Sequence, residues 1–418
     1  MARLIGILFF LFVWNTASAQ LTAFPGAEGF GKYAVGGRGG NVYHVTNLND
    51  SGPGSFRDAV SQPHRTIVFD VGGVIRIRSK IKASSFLTIA GQTAPGEGIT
   101  VYGDGISFSG TEQVIVRYMR FRGSIDMSRG TCTVSADYAS NLIFDHVSIE
   151  WGRWDNLHVK KSNNMTFQYC LIGEAIDPQR FGALLESPVN LTIHHCLWID
   201  NQSRNPKAKA GVEFINNVIY NWGKSGFVGG HSAADHYQDM LNNYFIAGPN
   251  SSESCLSMFT ATDHVYQKGN LFDGDRDGKL NGRLITDEDF SREGATLLAK
   301  RTHQGLFDPA IEDPAAAYRK VLREAGASLK RDATDRRLAG YLKSLGKKGV
   351  IIHTEAEVGG QKFGNEVKRQ ASYDSDGDGM PDRWEKKQKL NRDNPADARE
   401  AGKKGYTRLE DFINELTL

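Results

Sequence analysis

Six segments in the middle of the chain repeat one alternating apolar pattern, and this repetition restricts the possible folds more than any other feature. When the segments are aligned, successive members of one column are separated by 23, 26, 21, 26 and 27 residues. The column holds Val147, Cys170, Cys196, Asn217, Asn243 and Asn270. A period near 25 residues, with short strands in each repeat, predicts an all-β chain wound into a parallel β-solenoid whose coils stack on one another.

The same column predicts what holds one turn of the solenoid together. Asn217, Asn243 and Asn270 should stack as a ladder of side-chain amides that satisfies buried backbone groups at the turn. Cys170 and Cys196 fall in adjacent coils of that column, so a disulfide and two free buried thiols are both open alternatives. The chain has four cysteines in all, too few for a scaffold held by disulfides.

The repeats end well before the carboxyl terminus. Earlier apolar segments extend the solenoid, so its coils should run from about Phe24 to about Ile285. Two helices are then predicted, one that opens at the N-cap Asp313 and one that runs from Asp335 to Leu345. We expect them to pack on the side of the solenoid or over its carboxyl end.

The predicted organisation of the chain has five parts. They are a signal peptide (1–19), a β-helix domain (20–290), a helical extension that packs on it (291–354), a linker (355–372) and a small C-terminal module (373–418).

The amino terminus predicts export. An apolar run that begins at Leu4 follows Arg3, and Ala17-Ser18-Ala19 provides a small-x-small cleavage signal. This run is too short for a comfortable membrane span, and no later segment approaches the ~20 apolar residues that one requires. We therefore expect a secreted or periplasmic protein without a membrane partner. A net charge of +2 gives no overall field that would require nucleic acid or a membrane.

The segment 374–385 has the residue pattern of a calcium-binding loop. Oxygen-bearing side chains fall at positions 1, 3, 5, 9 and 12, and a glycine at position 6 permits the sharp turn. The predicted ligands are Asp374, Asp376, Asp378, the backbone carbonyl of Met380, Asp382 and Glu385. We therefore predict Ca²⁺ as a cofactor in an EF-hand-like module that stabilises the C-terminal part without entering the chemistry.

Polar residues on the solenoid are densest between Arg180 and Lys209. After a His-His strand the chain places Arg204, Lys207 and Lys209 on one loop with the pattern Arg-x-Pro-x-x-Lys. This loop resembles the pectate lyase family of polysaccharide lyases, which fold as right-handed parallel β-helices. Three further phrases support the resemblance, which covers nearly the whole solenoid: FPGAEGFG (24–31), IVFDVGG (67–73) and the Asp-His pair (145–146).

The resemblance implies β-elimination on a 1,4-linked uronic-acid polymer, either pectate (polygalacturonate) or pectin. Such a reaction removes the C5 proton beside a carboxylate and expels the C4 oxygen, so the developing charge must be neutralised. Arg204 matches the family's base, although arginine normally stays protonated. Lys209 and Arg180 match carboxylate-binding positions, and Lys207 lies on the same loop. Trp154 could stack on a sugar ring, or it could belong to the core.

The sequence departs from the family where catalytic calcium is usually held. Non-acidic residues stand at four positions that are acidic in many relatives: Gly130, Cys132, Trp154 and His158. Asp155 is the candidate that remains for an active-site calcium. Fixed cations such as Arg153 or Lys160 are the alternative to a metal.

Two other functions are compatible with this fold. A β-helix glycoside hydrolase would need a pair of carboxylic acids, but the strongest cluster here is cationic and no adjacent Asp-Asp pair occurs. A non-catalytic polysaccharide-binding β-helix protein would need no acidic ligands. In each case we expect a monomer that binds an acidic, plant-type polysaccharide.

Overall fold

In the computed structural model, which describes residues 20–303 and 311–417, the chain winds into a parallel β-helix. Each complete coil contributes one strand to each of three sheets, numbered here in the order in which the chain visits them. One coil, for example, places Ser140–Asp145 in the first sheet, Ser148–Glu150 in the second and Asp155–Lys160 in the third. The predicted fold class is confirmed. The predicted signal peptide lies outside the described residues.

The first and second sheets have eleven strands each and the third has eight. The first sheet consists of Asn41–Val45, Arg65–Phe69, Leu87–Ala90, Glu112–Arg117, Ser140–Asp145, Asn163–Gln168, Val189–His194, Val212–Ile215, His236–Leu241, Asp263–Lys268 and Thr296–Leu297. The second consists of Val71–Arg76, Ile99–Tyr102, Arg120–Arg122, Ser148–Glu150, Leu171–Gly173, Leu197–Ile199, Val218–Tyr220, Tyr244–Ile246, Leu271–Asp273, Arg283–Leu284 and Val367–Lys368. The third consists of Ile81–Lys82, Ile106–Ser107, Val134–Ser135, Asp155–Lys160, Phe181–Glu186, Lys207–Lys209, Phe227–Val228 and Leu256–Ser257.

Helices are short and lie mainly in the C-terminal third. The α-helices are Phe56–Ala59, Asp287–Arg292, Pro314–Glu324, Ala333–Lys343, Asp382–Gln388 and Arg408–Glu415. Single 3₁₀ turns occupy Gly91–Thr93, Ser328–Lys330, Glu355–Val358, Ala371–Tyr373, Asp397–Arg399 and Lys403–Gly405. None of the helices in the described ranges combines the length and apolar character needed to cross a bilayer.

The predicted asparagine ladder forms at the two-residue turn between the first and second sheets. The backbone N–H of Asn217 donates to Oδ1 of Asn243 at 2.9 Å, and the side-chain amide of Asn217 donates to the same oxygen at 3.1 Å. Asn243 repeats both bonds toward Asn270, at 3.0 and 2.9 Å. All three side chains are fully buried, so the ladder satisfies turn groups that water cannot reach.

Cysteines occupy the equivalent positions of the ladder in the two preceding coils. The backbone N–H of Cys196 donates to Oδ1 of Asn217 at 3.0 Å, and that of Cys170 points at the sulfur of Cys196 at 3.4 Å. Both cysteines are free thiols, which decides between the two alternatives that the sequence left open. Burial raises the pKa of the Cys170 thiol, so we expect a structural and unreactive side chain.

The two predicted helices pack on the side of the solenoid. Asp313 caps the first of them by accepting hydrogen bonds from the backbone of its first turn, as predicted. Tyr318 and Val321 of this helix and Leu338 of the next pack on the outer face of the second sheet, against residues such as Leu197. An ion pair strengthens the contact, because the buried Arg122 donates to Asp335 at 2.8 Å.

The segment 355–372, which we expected to be a linker, lies against the solenoid. Val367–Lys368 pairs antiparallel with Val71–Arg76 and so becomes the last strand of the second sheet. The carboxylate of Glu355 accepts a hydrogen bond from the Tyr102 hydroxyl at 3.0 Å. Residues beyond 372 cover the outer face of the first sheet in its earliest coils, where Met380 and Phe412 pack with Val68.

Candidate active site

Lys160, Lys207 and Lys209 lie on strands of the third sheet, and Arg180 and Arg204 lie in the loops that lead into two of its strands. Its strands Asp155–Lys160, Phe181–Glu186 and Lys207–Lys209 are neighbours, and their register aligns Lys160 with Glu186 and Glu186 with Lys209. Intervening side chains such as Val159, Leu185 and Ala208 belong to the solenoid core. Because side chains alternate along a strand, the aligned charged residues face outward as one column.

Arg204 sits at the edge of this face, just before the strand Lys207–Lys209. Its Nη1 donates to both carboxylate oxygens of Asp155 at 3.1 Å. Its guanidinium carbon lies 4.1 Å from the centre of the Phe181 ring. These two contacts hold the guanidinium in place, while 20% of the side chain remains accessible.

Asp155 lies beneath Arg204 and is fully buried. Burial raises the pKa of this carboxyl to about 6, although the positive charge of Arg204 acts in the opposite direction. Both oxygens face Arg204, and the clusters of three or more metal-ligating side chains in the described ranges lie elsewhere, in the C-terminal region. The donors at Asp155 therefore do not fit the active-site calcium that it was a candidate to hold.

Positive charge is concentrated around Arg204. Lys207 is partly buried, and its pKa is lowered by that burial and then by the neighbouring charges of Arg204 and Lys209. Lys160 has an acidic neighbour, since its Nζ lies 3.5 Å from the carboxylate of Glu186. This end of the face is therefore suited to bind anionic groups.

Acidic residues interrupt the cationic face on the side of the earlier coils. His158 lies between Asp137 at 2.9 Å and Glu186 at 3.4 Å. Burial lowers the pKa of His158, but the two carboxylates outweigh it and the net shift is upward. Sequence reasoning missed Glu186, because the aligned segments contain strands of the first and second sheets only. Aligning the third-sheet strands would have placed it between Lys160 and Lys209.

The two remaining predicted substrate-binding residues lie nearby. Arg180 pairs with Asp177 at 3.3 Å and approaches the ring of His353 at 3.5 Å, so it is directed toward the segment that follows the helices. Trp154 directly precedes Asp155 and is 36% exposed. Trp154 is therefore not a core residue, which is the condition for stacking on a sugar.

The predicted calcium loop brings acidic side chains together at a second place. Ligand oxygens of Asp374, Asp376 and Asp378 lie within 4.8 Å of one another, and so do those of Asp378, Glu385 and Asp397. Asp382, a predicted ligand, belongs to neither group. Asp397 was missed, because it lies outside the twelve-residue pattern and no local spacing relates it to the loop. The buried Met380, also predicted, donates its backbone N–H to Asp378 at 2.7 Å.

Comparison with known proteins first defines the class. The family model described as "Right handed beta helix region" matches residues 81–243. Two solved structures share the fold at low identity. A thermostable pectate lyase has a TM-score of 0.55 at 14% identity and covers 73% of this chain and 98% of its own. A pectate lyase bound to hexasaccharide has a TM-score of 0.53 at 13% identity and covers 75% and 99%.

Curated relatives then identify the family. "Probable pectate lyase C" of Aspergillus flavus is 42% identical over 403 residues, which is 96% of this chain and 95% of the relative. Its namesake from Aspergillus fumigatus is 41% identical over 416 residues, or 98% and 97% of the two chains. The chain belongs to the pectate lyase family, and it is a polysaccharide lyase.

Proposed function

We propose that this protein cleaves a 1,4-linked galacturonate polymer by β-elimination, with Arg204 as the base. The observation that carries the proposal is the fixed position of Arg204 beside Lys207, on the outer face of the third sheet. An extended anionic polymer can lie along this open face. Names of the relatives support the choice of pectate as the substrate class.

In this reaction a proton moves to Arg204 and one carbon–oxygen bond breaks. A neutral Arg204 guanidine accepts the C5 proton, and the C5–H electrons form the double bond between C4 and C5. The C4–O bond breaks, and the leaving oxygen keeps its electrons and takes a proton from solvent. The positive charges of Lys207 and Lys209 have two effects on this reaction. They oppose a further positive charge at Arg204, and they stabilise the negative charge that develops on the substrate carboxylate.

Asp155 has a positioning role in this scheme. Its buried carboxylate holds the guanidinium at 3.1 Å and fixes the direction in which Arg204 points. Before Arg204 can act as the base, its own proton passes to solvent. No step requires a metal at this place.

We assign substrate binding to the predicted residues that surround Arg204. Lys209 and Lys207 would hold uronate carboxylates, Arg180 would hold a more distant one, and Trp154 would stack on a sugar ring. The amino-terminal export signal supports a secreted or periplasmic location, where such polymers are met. We also propose that the protein is a monomer and that it binds Ca²⁺ in its C-terminal region.

Replacing Arg204 by lysine tests the base. The Arg204→Lys variant keeps the positive charge but loses the planar guanidinium and its reach, so turnover should fall by at least ~10²-fold with little change in polymer affinity. Arg57→Lys is a matched control, since Arg57 also pairs with a carboxylate, that of Asp50 at 2.6 Å, but in an early coil. The control should retain turnover.

Product analysis tests the reaction class at the same time. Polygalacturonate and methyl-esterified pectin are supplied separately, and the ultraviolet absorbance of unsaturated uronide is followed beside the release of reducing ends. Absorbance rises only for a lyase, reducing ends alone mean hydrolysis, and neither means binding without catalysis. Near-normal turnover in folded Arg204→Lys protein would remove Arg204 as the base.

A further inference from the structure

We infer that the C-terminal region holds one Ca²⁺ through a donor set that the twelve-residue loop pattern does not define, and that this ion fastens the region to the solenoid. Five carboxylates supply the donor set: Asp374, Asp376, Asp378, Glu385 and Asp397. Asp378 belongs to both groups of clustered oxygens, each of which spans at most 4.8 Å. Calcium binds oxygens at about 2.3–2.6 Å, so ligands of one ion lie within roughly this span of one another.

Burial distinguishes this cluster from an ordinary acidic surface. Glu385 is fully buried, yet neither of its carboxylate oxygens has a hydrogen-bond partner among the described residues. Asp378 and Asp397, which are 2% and 3% exposed, each leave one buried oxygen unpaired in the same way. Desolvated carboxylates that lack both donors and counter-charge strongly destabilise a fold. A divalent cation at the point where these oxygens converge would coordinate the unpaired oxygens and supply the counter-charge.

Asp382 binds Ser375, although its position in the loop pattern predicts a calcium ligand. Its carboxylate accepts hydrogen bonds from the backbone N–H of Ser375 at 2.8 Å and from the Ser375 hydroxyl at 2.7 Å. It therefore braces the start of the loop. Asp397 opens a separate 3₁₀ turn beyond the helix Asp382–Gln388, so an ion bound by Asp397 ties that turn to the loop.

The loop itself lies directly on the first sheet. Nε2 of His44 donates to the carbonyl oxygen of Gly377 at 3.0 Å. A side chain at Gly379, whose φ is +91°, would meet Val42 at 3.1 Å and Leu409 at 3.0 Å. Ordering the loop around an ion therefore orders the surface by which the C-terminal region contacts the solenoid.

Calcium titration of the full-length protein by calorimetry, after removal of metal with a chelator, tests the donor set. Asp397→Asn should weaken Ca²⁺ binding by at least ~10-fold, because one charged ligand is lost. Asp382→Asn should weaken binding less than Asp397→Asn does, and Asp393→Asn, the matched control at an exposed carboxylate, should leave affinity unchanged. The reverse order of effects would restore the loop-only donor set, and wild-type protein that binds no Ca²⁺ would overturn the site.

Hydrogen exchange measured with and without Ca²⁺ tests the fastening. Removal of the ion should accelerate exchange at least ~10-fold in Arg408–Glu415 and in the first-sheet strand Asn41–Val45. The central strand Val189–His194 should be unaffected. Calcium-independent exchange in Arg408–Glu415, in protein that binds the ion, would show that the region docks without it.

Discussion

Asn243→Ala should be among the most destabilising single changes in the solenoid. Asn243 accepts hydrogen bonds from the backbone and side chain of Asn217, at 2.9 and 3.1 Å. It donates to the carbonyl of Phe214 at 2.8 Å and to Oδ1 of Asn270 at 2.9 Å. Alanine would remove all four hydrogen bonds at once.

The expected cost follows from burial. Asn243 is fully buried, so water cannot reach the groups that lose their partner. An unsatisfied buried donor or acceptor costs about 1–3 kcal/mol. A typical intramolecular hydrogen bond contributes about 1 kcal/mol net. With this value for each of the four bonds, we expect a loss of about 4 kcal/mol in the free energy of unfolding, a large share of the ~5–15 kcal/mol of a typical domain.

Urea unfolding followed by circular dichroism measures this loss, provided that the slope with denaturant is unchanged. Asn47→Ala is the matched control. Asn47 also makes two side-chain hydrogen bonds, since it donates to the carbonyl of Pro53 at 3.0 Å and accepts from the backbone N–H of Asn49 at 3.1 Å. It is only partly buried, so we expect a loss below ~1 kcal/mol. Equal losses in the two variants would refute the argument that burial makes the hydrogen bonds of the asparagine ladder strongly stabilising.

Two further predictions concern the third-sheet face. Because the pKa of folded Asp155 is raised from 3.8 to about 6, its stabilising contribution is fully present below about pH 4 and is lost as pH rises through 6. Asp155→Asn should therefore flatten the pH dependence of the melting temperature in this window, and an unchanged profile would contradict the shift. Lys209→Ala and Arg180→Ala should each raise KM on polygalacturonate and leave kcat nearly unchanged, since both would hold substrate in ground and transition states alike. An effect on kcat alone would argue against carboxylate binding.

Sequence reasoning succeeded where one local spacing repeats. The column that contains Asn217 and Asn243 was found from its period alone, because each member has the same task in its own coil. Asp313 was recognised as a helix cap for a similar reason, since capping depends on the next three residues. In these places a contact is defined by short-range geometry.

Contacts between coils were harder to predict. Asp155 and Arg204 are separated by 49 residues along the chain, and their meeting depends on the length of two irregular loops. Asp397 joins the calcium ligands only because a helix and a turn return it to the loop. Tertiary packing, which has no local signature, also decided that the helices cover the side of the solenoid.

The strand Val367–Lys368 has a consequence for how one molecule meets another. A stack of parallel coils ends in a strand with free N–H and carbonyl groups, on which a second molecule could continue the stack and begin a fibre. Here the outermost strand at each end of the second sheet, Val367–Lys368 and Arg283–Leu284, runs antiparallel to its neighbour. Each is only two residues long, so it offers little edge on which another coil could pair.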